Sequence, residues 1–391
     1  MADASNLRDK VAIVGAGHTE FSKNSGVTTL SLALEAGHKA IMDAGLKVTD
    51  INGLASYSTA DSTLVYVVAE ALGIEDTSYF VDHLGGGSAS QSTISAATMA
   101  LHAGVADYVL CYRALNSRSG MRMGGTGRTP NAGGQFQFQA PYGMYAPGQG
   151  TAMATRMHMQ KYGTTKDQLG HIAVTSRKHA AMNERAMMRK EITLEDYHAS
   201  RVISEPLNLL DYCLETDGSC AFVLTTADRA KDRPHKPVYI SGVGYGPGRT
   251  LQSRAWNDPT ESGGKFIAPR LFGMAGLTPK DVDVACLYDA FTYFLLLQLE
   301  DYGFCAKGEG GPFAASGALG LDGELPTNPH GGHLSEAYIH GYNHILSAVE
   351  QLRGHAGQRQ VRDAEVAIVT GAPGGSGIGI PPQSNALLLR N

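Results

Sequence analysis

The sequence predicts an α/β fold made of two similar halves, and two observations carry that prediction. The first is alternation. Short apolar strands and helical stretches follow one another along the chain, as in layered folds whose sheets are covered on both faces. The second is repetition. KVAIVGAGHTEF (10–21) reads as a buried strand ending in a glycine turn, and KPVYISGVGYGP (236–247) has the same form. AGLKVTDINGLASYS (44–58) aligns without a gap on AGLTPKDVDVACLYD (275–289), an offset of 231 residues. Each is a helix end with glycine as stop signal, a polar turn and a strand.

The repeat continues. GGGSASQSTISAATMALHAGVADYVLCYRA (85–114) gives glycine turn, helix and strand. GGHLSEAYIHGYNHILSAVEQLRG (331–354), followed by AEVAIVTGAPGG (364–375), gives the same order. The halves divide near residue 235, into 1–235 and 236–391. The first half is longer, and its excess lies at about 115–200 as an inserted loop domain. There NSRSGMRMGGTGRTPNAGGQFQFQAPYGMYAPGQG is rich in Gly, Met and aromatic residues and lacks any period. Its composition suits a lid or substrate wall, with a mobile or subunit-contact loop as the other reading. HMQKYGTTKDQLGHIAVTSRKHAAMN then reads as helical, with His171 and His179 as surface groups.

Composition narrows the function. The chain has 391 residues, 43% of them hydrophobic, and a formal net charge of −5. No basic run or stripe is present, which argues against a nucleic-acid partner. The N-terminus, MADASNLRDK, has no signal-peptide apolar region and no apolar run reaches membrane-spanning length, so a cytoplasmic protein is expected. The five cysteines, Cys111, Cys213, Cys220, Cys286 and Cys305, form no CxxC pair and read as buried small hydrophobes.

Common ligand motifs fail on inspection. VGAGHTEF has Glu20 where a dinucleotide fingerprint needs its third glycine, and neither a P-loop nor a G-x-S-x-G elbow occurs. NPHGGHLSEAYIHGYNH (328–344) is rich in histidine and places His340 and His344 at i, i+4 spacing, but HExxH is missing. It reads as a two-glycine turn that brings polar side chains to a pocket ahead of a helix, and no metal is expected. HLGGGSASQSTISAATMAL (83–101) is a glycine turn leading into a helix that begins near Ser88. Such a turn presents free N–H groups to an anion or a developing oxyanion. YDAF (288–291) closes a strand at the end where α/β sheets bind ligands.

Together these residues resemble the thiolase superfamily over nearly the whole chain. The resemblance implies two βαβαβαββ halves in a five-layer αβαβα arrangement, with a loop domain inserted in the first half. Four short thiolase motifs fall on GGGSAS, YDAF, AYI (337–339) and APGGSG. Every chemical group a thiolase needs is changed there. The nucleophilic cysteine falls on Gly87 or a neighbour, the Asn or His of the second motif is Tyr288, the histidine of the third is Tyr338, and the second cysteine is Ala372. A Claisen thiolysis requires a thiolate to carry the acyl group, so thiolase activity is not expected.

FSKNSG (21–26), YRALNSRSGMRMG (112–124), LYDAFTYFLLLQLEDYGFCAKGE (287–309) and NPHGGHLSEAYIHG (328–341) narrow the resemblance to one subgroup. That subgroup is the lipid-transfer-protein-like aldolases of bacterial steroid side-chain degradation. It implies retro-aldol cleavage of a β-hydroxyacyl-CoA, with tyrosines at positions 288 and 338 as the catalytic groups. It also implies a small acyl-CoA-associated partner with a zinc ribbon and an OB-fold, and a homodimer within an α2β2 heterotetramer. The zinc ribbon must belong to that other polypeptide. No cofactor is expected beyond the CoA of the substrate.

Retro-aldol cleavage needs a base, an acid and an oxyanion hole, but no acyl-enzyme. Tyr338 is expected to accept the β-hydroxyl proton and Tyr288 to donate to Cα, with the two roles exchangeable. His340 and Asp289 are nearby tuning groups. Backbone N–H groups of Gly87, Ser88 and Gly375 are the expected oxyanion donors. Two other readings compete: a non-catalytic acyl-CoA or lipid carrier or scaffold subunit, and a thiolase using a displaced cysteine such as Cys111 or Cys286.

Overall fold

The computed structural model describes residues 4–120, 122, 137–138, 140–246, 258–374 and 383–391. The first half runs β1 (Val11–His18), α1 (Thr29–Asp43), β2 (Gly53–Ser58), α2 (Val65–Leu72), β3 (Tyr79–Leu84), α3 (Ser90–His102) and β4 (Tyr108–Asn116). An insertion follows, with helices α4 (Pro147–Tyr162), α5 (Lys166–Ala181) and α6 (Leu194–Ala199) and a small ribbon of β5 (Val202–Ser204) and β6 (Leu207–Asn208). β7 (Asp217–Thr226) and α7 (Ala227–Ala230) close this half.

The second half runs β8 (Val238–Gly246), α8 (Gly264–Ala275), β9 (Val284–Cys286), α9 (Thr292–Asp301), α10 (Gly310–Ala315), α11 (Gly332–Ser335), α12 (Tyr342–Arg353), β10 (Val366–Thr370) and β11 (Ser384–Arg390). The repeat seen in sequence is therefore a repeat of elements. In both halves a helix, a single 3-10 turn and a strand follow in order, as α1, Val48–Asp50 and β2 or as α8, Pro279–Asp281 and β9.

The halves form sheets in the orders β3-β2-β4-β7-β1 and β8-β11-β10-β9, and antiparallel pairing of Ala12 with Tyr239 and Ile13 with Val238 joins their edges. Side-chain alternation then sorts the core into layers. Ala12 and Val14 face outward into a core with Leu32, Ala36, Ile41 and Val68 from α1 and α2. Val11 and Ile13 face inward, where they share a second core with α3, α12 and the inner residues of the other sheet, Val369, Leu387 and Leu389. Ile368, Ala386 and Leu388 face the other way, into a third core with α8 and α9. The result is the five-layer αβαβα order, with α3 and α12 as the central layer.

That central layer is why α12 is almost wholly buried and why α3 carries small residues, SQSTISAATMALH, rather than a broad apolar stripe. Serine and threonine hydroxyls on α3 return to the helix's own carbonyls: Thr93 to Ser90, Ser95 to Gln91 and Thr98 to Ile94. Among the described residues no helix is long and apolar enough to cross a membrane.

Candidate active site

The site forms where loops of both halves meet at one end of the central helices. The glycine turn follows β3. Gly87–Ala89 makes a 3-10 turn and α3 proper begins at Ser90, two residues beyond the expected start. The first N–H groups of such a segment lack intrahelical acceptors. The loop after β10 is clipped to this turn by the Ala372 N–H donating to the Gly87 carbonyl, at 3.0 Å. Asn385 ties the other side through its side-chain amide to the Ser88 carbonyl.

Tyr288 stands between β9 and α9. Its N–H donates to Thr370 Oγ1 at 3.0 Å, and its carbonyl accepts from Gln298 Nε2 at 2.7 Å. Tyr338 lies between α11 and α12 and is held by its N–H to Thr216 Oγ1, at 2.8 Å. The two phenol oxygens lie 2.8 Å apart in a buried hydrogen bond. Burial pushes both phenols well above the ordinary tyrosine range. For Tyr288 the neighbouring Tyr338 adds to that shift, whereas for Tyr338 the hydrogen bond with Tyr288 opposes it.

Gly87 makes room for this pair. A Cβ at that position would lie 1.9 Å from Tyr288 Oη and 2.3 Å from its ring. The space that a side chain at position 87 would take is thus filled by a phenol arriving from the other half. A cysteine and this tyrosine rotamer are mutually exclusive.

The other expected site residues take distinct places. Asp289 is fully buried. Its carboxylate accepts the N–H groups of His333 and Leu334 at 2.7 and 3.4 Å, and His344 Nε2 lies 3.1 Å away. Asp289 therefore supports the turn beneath Tyr288. Gly332 has a positive φ of 61°, and a Cβ there would strike the Asp289 carboxylate. Asp289, His333 and His344 are the buried trio among the described residues whose geometry could hold an ion.

His340 packs edge-on to Tyr338 with ring centroids 4.8 Å apart, and its Nδ1 lies 2.9 Å from Arg113 Nη2. Burial and then Arg113 lower its pKa to about 3. It precedes α12 in a left-handed conformation, φ 52°, so it shares no helix face with His344, in keeping with the turn ahead of a helix expected here. Gly375, and residues 121, 123–136 and 139 of the segment read as a lid, lie outside the described residues.

Sequence reasoning missed several participants. His179 is buried rather than at the surface, because α5 packs against the 328–332 turn and Nδ1 meets the Asn328 carbonyl at 3.2 Å. Arg113, fully buried on β4, pairs with Asp61 at 2.8 Å. Its signal was legible: a lone charge inside the apolar run YVLCYRALN needs a partner. Cys213 lies close enough to affect the charge of both tyrosines.

Comparison with known proteins agrees with this geometry. Residues 249–378 match the family described as "Thiolase C-terminal domain-like". The chain is 42% identical to the "Steroid side-chain-cleaving aldolase" of Thermomonospora curvata, over 96% of this chain and 97% of that one. It is 44% identical to the "17-hydroxy-3-oxo-4-pregnene-20-carboxyl-CoA lyase" of Mycobacterium tuberculosis, over 96% and 98%. The solved "Ltp2-ChsH2(DUF35) aldolase" superposes with a TM-score of 0.90 at 41% identity, covering 98% of each chain.

Proposed function

The chain belongs to the thiolase superfamily, in the branch that holds the steroid side-chain-cleaving aldolases, and on that premise we propose that it cleaves a β-hydroxyacyl-CoA thioester by a retro-aldol step. The substrate class is a steroid side-chain CoA carrying a 17-hydroxy or 22-hydroxy group. The products are a keto or aldehyde steroid and propionyl-CoA or acetyl-CoA. The observation that carries the reading is the 2.8 Å contact between Tyr288 and Tyr338, packed where a side chain at Gly87 would have to sit.

The chemistry follows from what two neutral phenols can do. The β-hydroxyl gives its proton to Tyr338 as the Cβ–O bond becomes a carbonyl. The Cα–Cβ electron pair moves into the thioester, whose oxygen takes the negative charge. Tyr338 passes its own proton to Tyr288, and Tyr288 delivers one to Cα. One proton leaves oxygen and one arrives on carbon, so neither phenol need remain ionised. This suits groups that burial keeps protonated at neutral pH. Either hydroxyl of the pair could be the donor, so the two roles are exchangeable. Backbone N–H groups of Gly87 and Ser88 serve the thioester oxygen. The scheme uses no metal and no cofactor beyond the substrate's own CoA.

The working form we propose is cytoplasmic. It pairs as a homodimer within a heterotetramer that includes a small zinc-ribbon and OB-fold protein. The solved relative named for an aldolase with a DUF35 protein supports a partner. The exposed edge strand β3, with Phe80 and Leu84 on its open face, supports self-pairing.

The test is cleavage by the chain co-expressed with that partner. A 17-hydroxy steroid side-chain CoA ester is supplied without free CoA and the products are followed by mass spectrometry. Release of the 17-keto steroid and propionyl-CoA, lost in Tyr288→Phe and Tyr338→Phe, is expected. Binding without cleavage of either the 17-hydroxy or a 22-hydroxy ester overturns the aldolase reading in favour of a carrier.

A further inference from the structure

We propose that His340 donates a hydrogen bond from Nε2–H to the thioester oxygen of the substrate, and that Arg113 fixes it in the tautomer able to do so. The inference deepens the retro-aldol reading above and rests on it for the identity of the oxygen.

The tautomer follows from donor arithmetic. A guanidinium has only donors. Arg113 Nη2 lies 2.9 Å from His340 Nδ1, so Nδ1 must be the acceptor. The single proton of the neutral ring is then on Nε2. Arg113 cannot swing away, because the same nitrogen donates to both carboxylate oxygens of Asp61 at 2.8 Å and Nη1 donates to the Tyr57 carbonyl at 2.8 Å. The charge on Arg113 also disfavours a second proton on the ring.

His340 Nε2 is buried and has no hydrogen-bond partner among the described residues. A buried donor left without an acceptor is costly, and native structures rarely leave one unexplained. The explanation lies in where it sits. A Cβ built on Gly86 would lie 3.7 Å from His340 Cε1 and 3.9 Å from Nε2, and one built on Gly87 would lie 1.9 Å from Tyr288 Oη. The Gly86–Gly87 peptide is therefore flanked by His340 on one side and the tyrosine pair on the other. An oxygen resting on the open N–H groups of this turn takes Nε2–H as a further donor.

The backbone supports the aim. His340 is a non-glycine residue at φ 52°, and Tyr57 Oη donates to its carbonyl at 2.6 Å. A residue held in that conformation inside a site is a mark of function when its surroundings over-determine it. The charged and titratable groups around the ring are Arg113 from β4, Asp61 and Tyr57 from β2 and the loop after it, Tyr338 from its own loop, and His333 from α11. As Cα–Cβ breaks, charge grows on the thioester oxygen and a fixed neutral donor gains strength there without reorganising.

The test uses the full chain with its OB-fold partner and a saturated steroid side-chain CoA thioester that lacks the β-hydroxyl and carries 13C at the thioester carbonyl. Difference infrared spectra report the carbonyl stretch of the bound probe. Wild type is expected to lower it relative to free thioester, His340→Ala to lose most of that lowering, and His340→Gln, whose amide N–H replaces Nε2–H, to keep much of it. Turnover should fall roughly 10²–10³-fold in His340→Ala and recover in part in His340→Gln.

Selective 15N-histidine spectra test the tautomer without any substrate. His340 should carry its proton on Nε2 and stay neutral at about pH 5, and in Arg113→Gln its pKa should move upward, with burial still holding it below the ordinary histidine value. An Nδ1–H tautomer in the wild type overturns the proposal, and so does an unshifted stretch in the wild type. Were His340→Ala not to fold, the wild-type spectra and His340→Gln still decide. A lowered stretch with no cleavage sinks the retro-aldol reading and leaves His340 as a thioester donor. Cleavage and stretch both unchanged in His340→Ala sink this inference alone.

Discussion

Tyr57 and Tyr288 occupy the same place in the two halves of the chain, 231 residues apart, and they do opposite work. Both are buried at the end of the corresponding strand. Tyr57 is fully answered by protein: its hydroxyl donates to the His340 carbonyl at 2.6 Å, and Arg113 lies 4.7 Å above its ring. Tyr288 meets a second phenol, over a glycine with no side chain to crowd its oxygen. Burial raises both hydroxyls well above the ordinary value, so burial alone does not separate them. The difference lies in the partner. A hydroxyl bonded to a carbonyl is fixed scaffold, whereas one bonded to another titratable hydroxyl can pass a proton on. In the proposed reaction the first half thus contributes backbone and a clamp, and the second the two hydroxyls assigned to proton transfer.

The largest expected effect breaks that comparison directly. Tyr288→Phe should cost roughly 10²–10⁴ in turnover, the range for a lost general acid or base. Tyr57→Phe should cost about 1 kcal/mol of stability, the net worth of one buried hydrogen bond, with a much smaller loss of rate. Steady-state rates and denaturant midpoints on both variants decide it. Equal rate losses would mean that the two tyrosines are not divided as described. Gly87→Ala comes next. Its backbone is not in the left-handed region, so alanine is free to adopt the fold, but its methyl must displace the Tyr288 hydroxyl. A misplacement of that size should cost about 10² in rate with little change in stability. An unaltered rate would show that the phenol does not sit over the turn during the reaction.

Much of this was legible in the sequence. The repeat located the paired elements, and YDAF and AYI marked the two tyrosines that the fold brings together. What could not be read was the complementarity across halves. Nothing in GGGSAS says that the missing side chain of Gly87 is the space occupied by Tyr288, because their contact spans some 200 residues of chain and depends on two sheets sharing a central layer. His179 was misplaced for a related reason, since a polar residue on a helix with charged neighbours looks exposed until another loop covers it. The histidine-rich stretch invited a helical spacing rule, but the left-handed residue at His340 breaks the helix before that rule applies.

Buried histidines should also make the fold less stable in acid. His330, His333 and His340 of the second half are buried with pKa values lowered first by desolvation, and His179 from the insertion is lowered to about 4. An unfolded chain takes up protons at these sites near pH 6.5, and the folded chain does not. Stability is therefore full above that value and falls as pH drops through the window between the unfolded and folded pKa values. Each histidine contributes up to about 1.4 kcal/mol per pH unit. Urea midpoints at about pH 7 and pH 5.5 should show the loss, with a shallower slope in His340→Gln. A midpoint that does not move would mean that these rings are protonated in the folded state.

The smallest expected effect concerns sulfur. Cys213 is the thiol whose ionisation would bear on both tyrosines, and Cys111 and Cys286 are buried in strands. A thiolase-like step would need one of them as a thiolate. Burial pushes the Cys213 thiol far up, the nearby carboxylates of Asp289 and Glu215 push it further, and only its own backbone hydrogen bond opposes them. Cys286 is likewise raised, to about 12. Reactive cysteines sit in the opposite setting, beside cations or at exposed helix starts. Cys213→Ala should therefore keep turnover within about threefold of wild type, the change expected from a packing group with no part in proton transfer. A loss approaching that of Tyr288→Phe would place the nucleophile on sulfur after all, and would make the phenol pair its support. Retention would confine the chemistry to the two hydroxyls and the donors around them.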